Sequence, residues 1–397
     1  MKAAILIDNS MELNKPHPGR VFNEAETLVH NGYEVTIYCK KGNENTPKKQ
    51  IYKEITIIRC FDYFLGTTEL IHNYIISHIQ LFNTINEKFD VYHCHDTNTL
   101  PVGYILSRRD KAKLIFEPHE YFLDQICREW YRSNEFKYNL TQNLIKARGK
   151  YYEYADKIIT VSETMADVLY KELNLKEKPA VLYNTRRKDD FIKINSSSHI
   201  SLREKFNIPT QKKILLFQGN IEESRGTDIV IRSMRYVNNS VFIAAGRIKD
   251  EYYNILKSII IAENLEDRIY FTGEETSERL LQYTYDADIL IYLGKPIVKN
   301  MEYTLPNKFF DYLFSTRPMI LSDLCTLKNM VQKYSIGINI DIHDINIEYI
   351  GKKINSFVND DKLLTEISEN IAKIKDLYVW ENEEVKLLSL YNELFKS

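Results

Sequence analysis

Ile289-Leu290-Ile291-Tyr292-Leu293-Gly294-Lys295-Pro296, followed after a short gap by Tyr303-Thr304-Leu305-Pro306-Asn307-Lys308-Phe309-Phe310-Asp311-Tyr312, decides the fold. The apolar run stops at a glycine and a proline, which reads as a buried strand and the loop leaving it. Pro306 fits the first turn of a helix, where its missing N–H costs nothing and its fixed φ is pre-set. The segment is therefore strand, loop, helix start, with Asn307 and Lys308 at the positive end of the helix. Unpaired backbone N–H groups and the helix dipole attract anions there. Asp311 lies about one turn further in, where its carboxylate can accept hydrogen bonds from sugar hydroxyls. Phosphate and polyol recognition side by side imply a nucleotide-sugar pocket.

The same strand-then-helix alternation extends in both directions. Upstream strands are expected at Ala4–Ile7, Glu34–Tyr38, Ile55–Ile58, Val91–His93, Leu114–Phe116, Lys157–Val161 and Ala180–Leu182, with helices at Val21–His30, Thr68–Asn86 and Asn139–Tyr154. A second series has strands at Lys213–Gln218, Val241–Ala245, Ile269–Phe271, Ile289–Leu293, Met319–Leu321 and Gly337–Ile340. Its helices are expected at Thr227–Arg235, Glu251–Glu263, Ser277–Tyr285, Lys308–Ser315 and Ile347–Phe357. Such alternation implies mostly parallel, doubly wound sheets, which bind ligands at the carboxyl ends of their strands. The polar stretch Asn184–Ser198 breaks the period and reads as the linker. The expected domains are 1–190 and 199–377, with an amphipathic helix in 378–397 completing the first.

At 397 residues the chain fits two domains better than one core. Net charge of −2 argues against nucleic acid as a partner. Cys39, Cys60, Cys94, Cys127 and Cys325 are odd in number and lack a C-x-x-C pair, so free thiols in a reducing cytoplasm are expected. The opening Met1–Asp8 is too brief for a signal h-region, and no run approaches the ~20 apolar residues that cross a bilayer.

Several residues in loops and at strand ends carry possible chemistry. In Pro18-Gly19-Arg20, Gly19 lets backbone approach a ligand and Arg20 can reach a phosphate, although a glycine turn with a solvated arginine fits equally. No G-x-G-x-x-G is present, which disfavours a dinucleotide enzyme. His93 and His95 share one face of a strand and, with Asp96, resemble metal ligands, but no third and fourth ligand follow at a known spacing. No metal or other cofactor is therefore expected, and placement at a strand's carboxyl end is the better reading. His119 follows the next strand in Phe116-Glu117-Pro118-His119-Glu120, where it can hydrogen-bond a sugar hydroxyl or handle a proton; a structural histidine is the plainer alternative. Gly219 and Asn220 form a strand-to-loop turn, and Arg225 precedes a helix start, where its guanidinium can clamp a diphosphate. The aromatic and basic stretch from Arg128 to Tyr138 suits a groove, a lipid surface or ordinary helix packing.

In their order and spacing these landmarks resemble the retaining GT-B glycosyltransferases of family 4, the glycosyltransferase 1 group. The motifs are R-V-x-x-E-A-x-x-L-x-x-x-G-Y-E-V at Arg20–Val35, D-V-Y-H-C-H-D at Asp90–Asp96, F-E-P-H-E at Phe116–Glu120, and A-D-K-I-I-T-V-S-E at Ala155–Glu163. Y-N-T at Tyr183–Thr185, Q-G-N-x-x-x-x-R-G at Gln218–Gly226, L-P-N-K-F-F-D-Y-L at Leu305–Leu313 and a closing W-E…L-Y helix follow. The resemblance implies an α/β chain of two Rossmann-like domains, parallel sheets facing across a cleft, and a C-terminal helix crossing back to the first domain. It implies a nucleotide-sugar donor on the second domain, an acceptor facing the first, and no required metal.

By that resemblance Arg225 and Lys308 hold the diphosphate and Asp311 the ribose, while His119 meets the transferred sugar; His119 and Asp311 are the catalytic positions. Gly19, Arg20, Gly219, Asn220, Glu302, Tyr303, Thr304, Leu305 and Asn307 complete the donor side, and His95, Asp96 and Glu120 the acceptor side. One position departs from the family, which carries two acids with seven residues between them. Asp311 holds the second place as the shorter acid, Tyr303 the first, and Glu302 lies one residue out of register. The expected activity is transfer of a sugar, with UDP as the expected carrier, to a saccharide or lipid-linked saccharide in surface polysaccharide or glycoconjugate synthesis. The expected location is the cytoplasm, with peripheral membrane contact allowed. A sugar-nucleotide epimerase or a non-catalytic scaffold of the same fold would use the same pocket.

Overall fold

The computed structural model describes residues 1–11, 19–42, 46–62, 75–124, 134–196 and 200–396. Pro18, Cys127, residues 68–74 of the expected Thr68–Asn86 helix, the Arg128–Arg132 stretch and Ser198 lie outside them. The chain divides into two compact units. Unit 1 comprises Met1–Asn184, Val298–Asn300 and Trp380–Ser397; unit 2 comprises Thr185–Ile297 and Met301–Val379. The first crossing thus falls at Asn184/Thr185, earlier than the expected boundary at 190.

Unit 1 is built on eight strands: β1 (Lys2–Ser10), β2 (Glu34–Lys40), β3 (Lys49–Tyr52), β4 (Ile55–Phe61), β5 (Val91–His95), β6 (Lys113–Glu117), β7 (Lys157–Thr160) and β8 (Ala180–Val181). Their order is β3-β4-β2-β1-β5-β6-β7-β8, parallel except for the antiparallel edge pair β3–β4. The central strands are buried on both faces, so they read as continuous apolar runs. β3 escapes the sequence pattern because Lys-Gln-Ile-Tyr is a short, half-exposed edge. Registration places His95 opposite Glu117 at the carboxyl ends of β5 and β6. The helix Trp380–Glu393 completes this unit's core: Trp380, Leu387, Tyr391 and Leu394 are buried among Ile5, Phe22, Leu28 and Val35. Trp380 Nε1 donates to Thr27 Oγ1 at 3.0 Å, so its one polar atom is satisfied in the core.

Unit 2 holds six parallel strands: β9 (Lys213–Gln218), β10 (Ser240–Ala245), β11 (Ile269–Phe271), β12 (Ile289–Tyr292), β13 (Met319–Ser322) and β14 (Gly337–Ile340), ordered β11-β10-β9-β12-β13-β14. All six were expected from the apolar runs. The expected linker is instead helical over Lys188–Ser196. Asp189 and Asp190 suit the positive end of that helix, and Phe191 and Ile194 bury its inner face. Phe191 stacks on Phe314 with ring centroids 3.9 Å apart.

Among the described residues no helix is long and apolar enough to cross a membrane, and Cys39, Cys60, Cys94 and Cys325 are free thiols. Truncating Trp380 to alanine leaves a large void in the unit 1 core and removes the Thr27 bond. Urea unfolding should show a loss of about 3–5 kcal/mol for Trp380→Ala.

Candidate functional site

In unit 2 the carboxyl ends of β9 and β12 carry the expected anion-binding groups. β9 ends at Gln218, and the chain turns through Gly219 at φ +109°. The loop after β10 comes so close that a Cβ on Gly246 would lie 2.2 Å from the Gly219 carbonyl oxygen. Gly226 is equally confined: at φ +70° a Cβ there would meet the Leu293 carbonyl at 1.8 Å. These close approaches hold the Gly219 turn against the loop after β10 and the Arg225 loop against the end of β12.

The helix Asn307–Ser315 begins one residue before the expected start at Lys308, and Pro306 precedes its first turn rather than lying in it. Lys308, in that first turn, lays its ammonium over the Phe217 ring at 3.9 Å and the Tyr292 ring at 4.8 Å. It also lies against Gly219, within 3.2 Å of where a Cβ would stand. Arg225 Nη1 donates to Tyr292 Oη at 3.3 Å, which brings the second cation to the same ring. Burial, then the neighbouring Arg225 charge, pushes the Lys308 ammonium well below its usual range. Aromatic faces and glycine backbone surround this cation, and among the described residues no carboxylate forms an ion pair with it. Asn220 and Asn307 are exposed nearby in the chain, Tyr303 and Thr304 are partly buried, and Leu305 is buried.

Two donor-side expectations meet a different geometry. Glu302 Oε2 accepts from the Cys325 N–H at 2.8 Å, at the start of the helix Cys325–Tyr334, and the Glu302 carbonyl accepts from Thr326 Oγ1 at 2.9 Å. A carboxylate at a positive helix end is well placed electrostatically, so Glu302 is turned there rather than toward a sugar. Asp311 is nearly buried and already engaged: Arg186 Nε lies 3.0 Å from Oδ1, and Gln218 Nε2 donates to Oδ2 at 3.0 Å.

In unit 1 the two histidines of β5 stack with ring centroids 4.6 Å apart, as their i, i+2 spacing implies. Glu117 from β6 joins them: Oε2 lies 3.1 Å from His93 Nε2, and Oε1 lies 2.8 Å from His119 Nε2. His95 Nδ1 is 3.0 Å from His119 Nε2, and His93 Nδ1 is 3.0 Å from Tyr391 Oη. Arg20 runs through the same interior, its Nε 2.7 Å from Glu24 and 2.8 Å from Glu117, with Nη1 donating to the Leu182 carbonyl. Arg20 is therefore a buried structural cation rather than a phosphate arm, because two interior carboxylates compete for it at close range. Gly19 stays exposed at φ +82°, opening the helix Arg20–His30.

Glu24, His93, His95 and Glu117 each offer one ligand atom, all within 4.8 Å of one another, a grouping of the kind divalent cations take. The third and fourth groups missing from the sequence pattern thus come from the first helix and the next strand. Arg20, lying against both carboxylates, already supplies compensating positive charge. Burial, reinforced by Glu117 and offset by Arg20, pushes Glu24 up to about 7. Burial, only partly offset by Glu117, pushes His95 down to about 3, a neutral ring.

His119 is the partly exposed member of this network. Its backbone N–H donates to Asp96 Oδ1 at 2.9 Å, and Asp96 sits at φ +58°, in the left-handed region, to accept it. Burial alone would lower the His119 pKa, but Asp96 and Glu117 outweigh that and hold it up at about 9. His119 is thus an imidazolium near neutrality, with Nε2 committed to Glu117 and Nδ1 4.0 Å from Asp96 Oδ2. His95 is fully buried, Asp96 partly buried, and Glu120 exposed.

Residues 20–185 match the family model of Glycosyltransferase Family 4, and residues 199–374 match that of Glycosyl transferases group 1. The chain belongs to the family 4, group 1 glycosyltransferases. An uncharacterised glycosyltransferase of Methanocaldococcus jannaschii is 21% identical over 377 residues, covering 92% of this chain and 91% of that protein. The glycosyltransferase is similar in fold to sucrose-phosphate synthase from Thermosynechococcus elongatus, with a TM-score of 0.76, 15% identity and 99% of each chain covered. Anabaena HepE in complex with UDP aligns with a TM-score of 0.72 and 14% identity, over 99% of this chain and 100% of that one. These likenesses establish the GT-B fold.

Two outcomes test this geometry. A lysine whose folded pKa is depressed destabilises the protein wherever the unfolded chain would be charged, so removing it relieves the empty site. Lys308→Met should raise the melting temperature of the ligand-free glycosyltransferase by about 2–4 °C at neutral pH. His119 has the opposite sign. Its folded pKa of about 9 exceeds the unfolded value near 6.5, so its stabilisation is complete below about pH 6.5 and lost as pH rises through about 9. A pH series of unfolding midpoints should lose stability across that window in the wild type and be flatter in His119→Gln.

Proposed function

We propose that this glycosyltransferase moves a sugar from a nucleoside diphosphate, UDP for preference, to a saccharide or lipid-linked saccharide, with retention at the anomeric carbon. The observation that carries this reading is the desolvated Lys308 ammonium beside Arg225, held against Gly219 without an ion pair. A desolvated ammonium with a guanidinium beside it gains most from a ligand bearing adjacent phosphate charges. The similarity to Anabaena HepE, whose structure contains UDP, supports the same donor class.

In the reaction proposed, the bond between the anomeric carbon and the diphosphate oxygen breaks, and Lys308 and Arg225 take up the developing negative charge. The acceptor hydroxyl oxygen bonds to the anomeric carbon on the same face, and its proton passes to the departing phosphate oxygen. His119, charged and fixed by Glu117, donates from Nδ1 to a hydroxyl of the transferred sugar. Surface polysaccharide or glycoconjugate synthesis, in the cytoplasm and with peripheral contact to a membrane that carries the acceptor, belongs to the same proposal.

A thermal-shift screen across UDP-, GDP- and ADP-sugars tests it. UDP-sugars should stabilise by about 2.7 kcal/mol at a hundredfold excess over Kd. Arg225→Ala should weaken that binding by about ten- to a hundredfold, the worth of a hydrogen bond to a charged group. UDP-sugar incubated without acceptor should give no isomerised sugar nucleotide. No shift with any nucleotide defeats the proposal.

A further inference from the structure

The acid expected to read the ribose is not presented in the way the family resemblance implies. Asp311 lies on the inner face of the helix Asn307–Ser315, its side chain 12% exposed, and the Arg186 side chain paired with it is 16% exposed. Arg186 Nε lies 3.0 Å from Asp311 Oδ1, and its Nη2 donates to Ser277 Oγ at 2.8 Å. Ser277 opens the helix Ser277–Asp286, so the guanidinium is fixed at both ends. The other carboxylate oxygen accepts from Gln218 Nε2 at 3.0 Å. Each oxygen thereby already accepts one bond from a group of unit 2 itself. The two polar atoms of the trio without a partner, Arg186 Nη1 and Gln218 Oε1, are enclosed and out of reach of solvent.

A ribose hydroxyl seeking Asp311 competes with a guanidinium already bonded to the same oxygen. The hydroxyl's bond would be assisted by the acceptor's charge alone, whereas the guanidinium's is assisted by charge on both partners, so the ion pair holds the carboxylate toward Arg186. Opening the pair would also leave two little-hydrated charges uncompensated. Asp311 is shorter than a glutamate by one methylene, which keeps its carboxylate back toward Arg186 and Gln218.

We propose that Arg186 is a specificity-determining residue, which withdraws the Asp311 carboxylate from the nucleoside so that a nucleoside diphosphate is bound with little dependence on its ribose hydroxyls. The inference rests on the nucleotide-donor reading above. It shifts recognition onto the phosphates at Lys308 and Arg225. Arg186 itself acts through Asp311 and touches no reacting atom.

Isothermal titration of the full-length protein with UDP and with 2′-deoxy-UDP tests this. The wild type should bind the two within about threefold of each other, whereas a carboxylate reading the hydroxyl would separate them by about ten- to a hundredfold. Arg186→Met, which frees Asp311, should open a gap of about tenfold or more in favour of UDP; Arg186→Lys, which keeps a cation on Asp311, should stay near parity. The ratio is the readout, since a merely structural defect weakens both nucleotides alike. A wild type that already prefers UDP by about tenfold or more overturns the proposal without recourse to any variant, as does parity retained in a folded Arg186→Met. Absence of any UDP binding rejects the donor reading itself, a result distinct from equal binding of both nucleotides.

Discussion

Burying charge without water costs several kcal/mol per ion unless partners take the place of the lost hydration. Arg20 is where unit 1 meets that constraint. One guanidinium reaches Glu24 on its own helix, Glu117 at the end of β6 and the Leu182 carbonyl just past β8. Without that cation, two fully buried carboxylates would share one pocket with no strong counter-charge. The stacked His93 and His95, the short contact to Tyr391 and the orientation of His119 all follow from Glu117 staying ionised in the interior. Unit 1 is thus arranged around a completed electrostatic circuit, with His119 as its partly exposed terminal.

Unit 2 treats its own cation in the opposite way. Lys308 is given ring faces and glycine backbone in place of an ion pair, and a second cation beside it. Burying a cation among rings and backbone is costly, and the proposed diphosphate would offset that cost. Asp311, one turn along the same helix, is fully paired with Arg186 and Gln218. The helix therefore carries one group held ready and one group held back.

Much of this was legible from pattern alone. Continuous apolar runs identify strands buried on both faces, so the unit 2 sheet and the central strands of unit 1 are read correctly. Lys308 and Arg225, which the structure brings to one tyrosine ring, were singled out because glycines and helix starts mark the ends of strands. What was missed depends on contacts between residues far apart in the chain. Nothing near His93 and His95 announces that Glu24 and Glu117 converge on them. Arg186 was hidden inside a polar stretch taken for a linker, although Phe191 and Ile194 at i, i+3 hinted at a packed helix. Glu302 shows the limit of counting along a motif: one residue out of register, it accepts from the first N–H of another helix.

The last eighteen residues belong to the unit that begins at Met1, while nearly two hundred residues in between build the other. Trp380 and Tyr391 are interior residues of a domain whose remaining strands were synthesised first. On the ribosome, unit 1 must wait with an open hydrophobic seam, and with His93 lacking its Tyr391 partner, until the final helix emerges. Unit 2, being contiguous but for a three-residue excursion, can close earlier. Losing the final helix therefore opens the core of the first domain, although it lies far from that core in the chain.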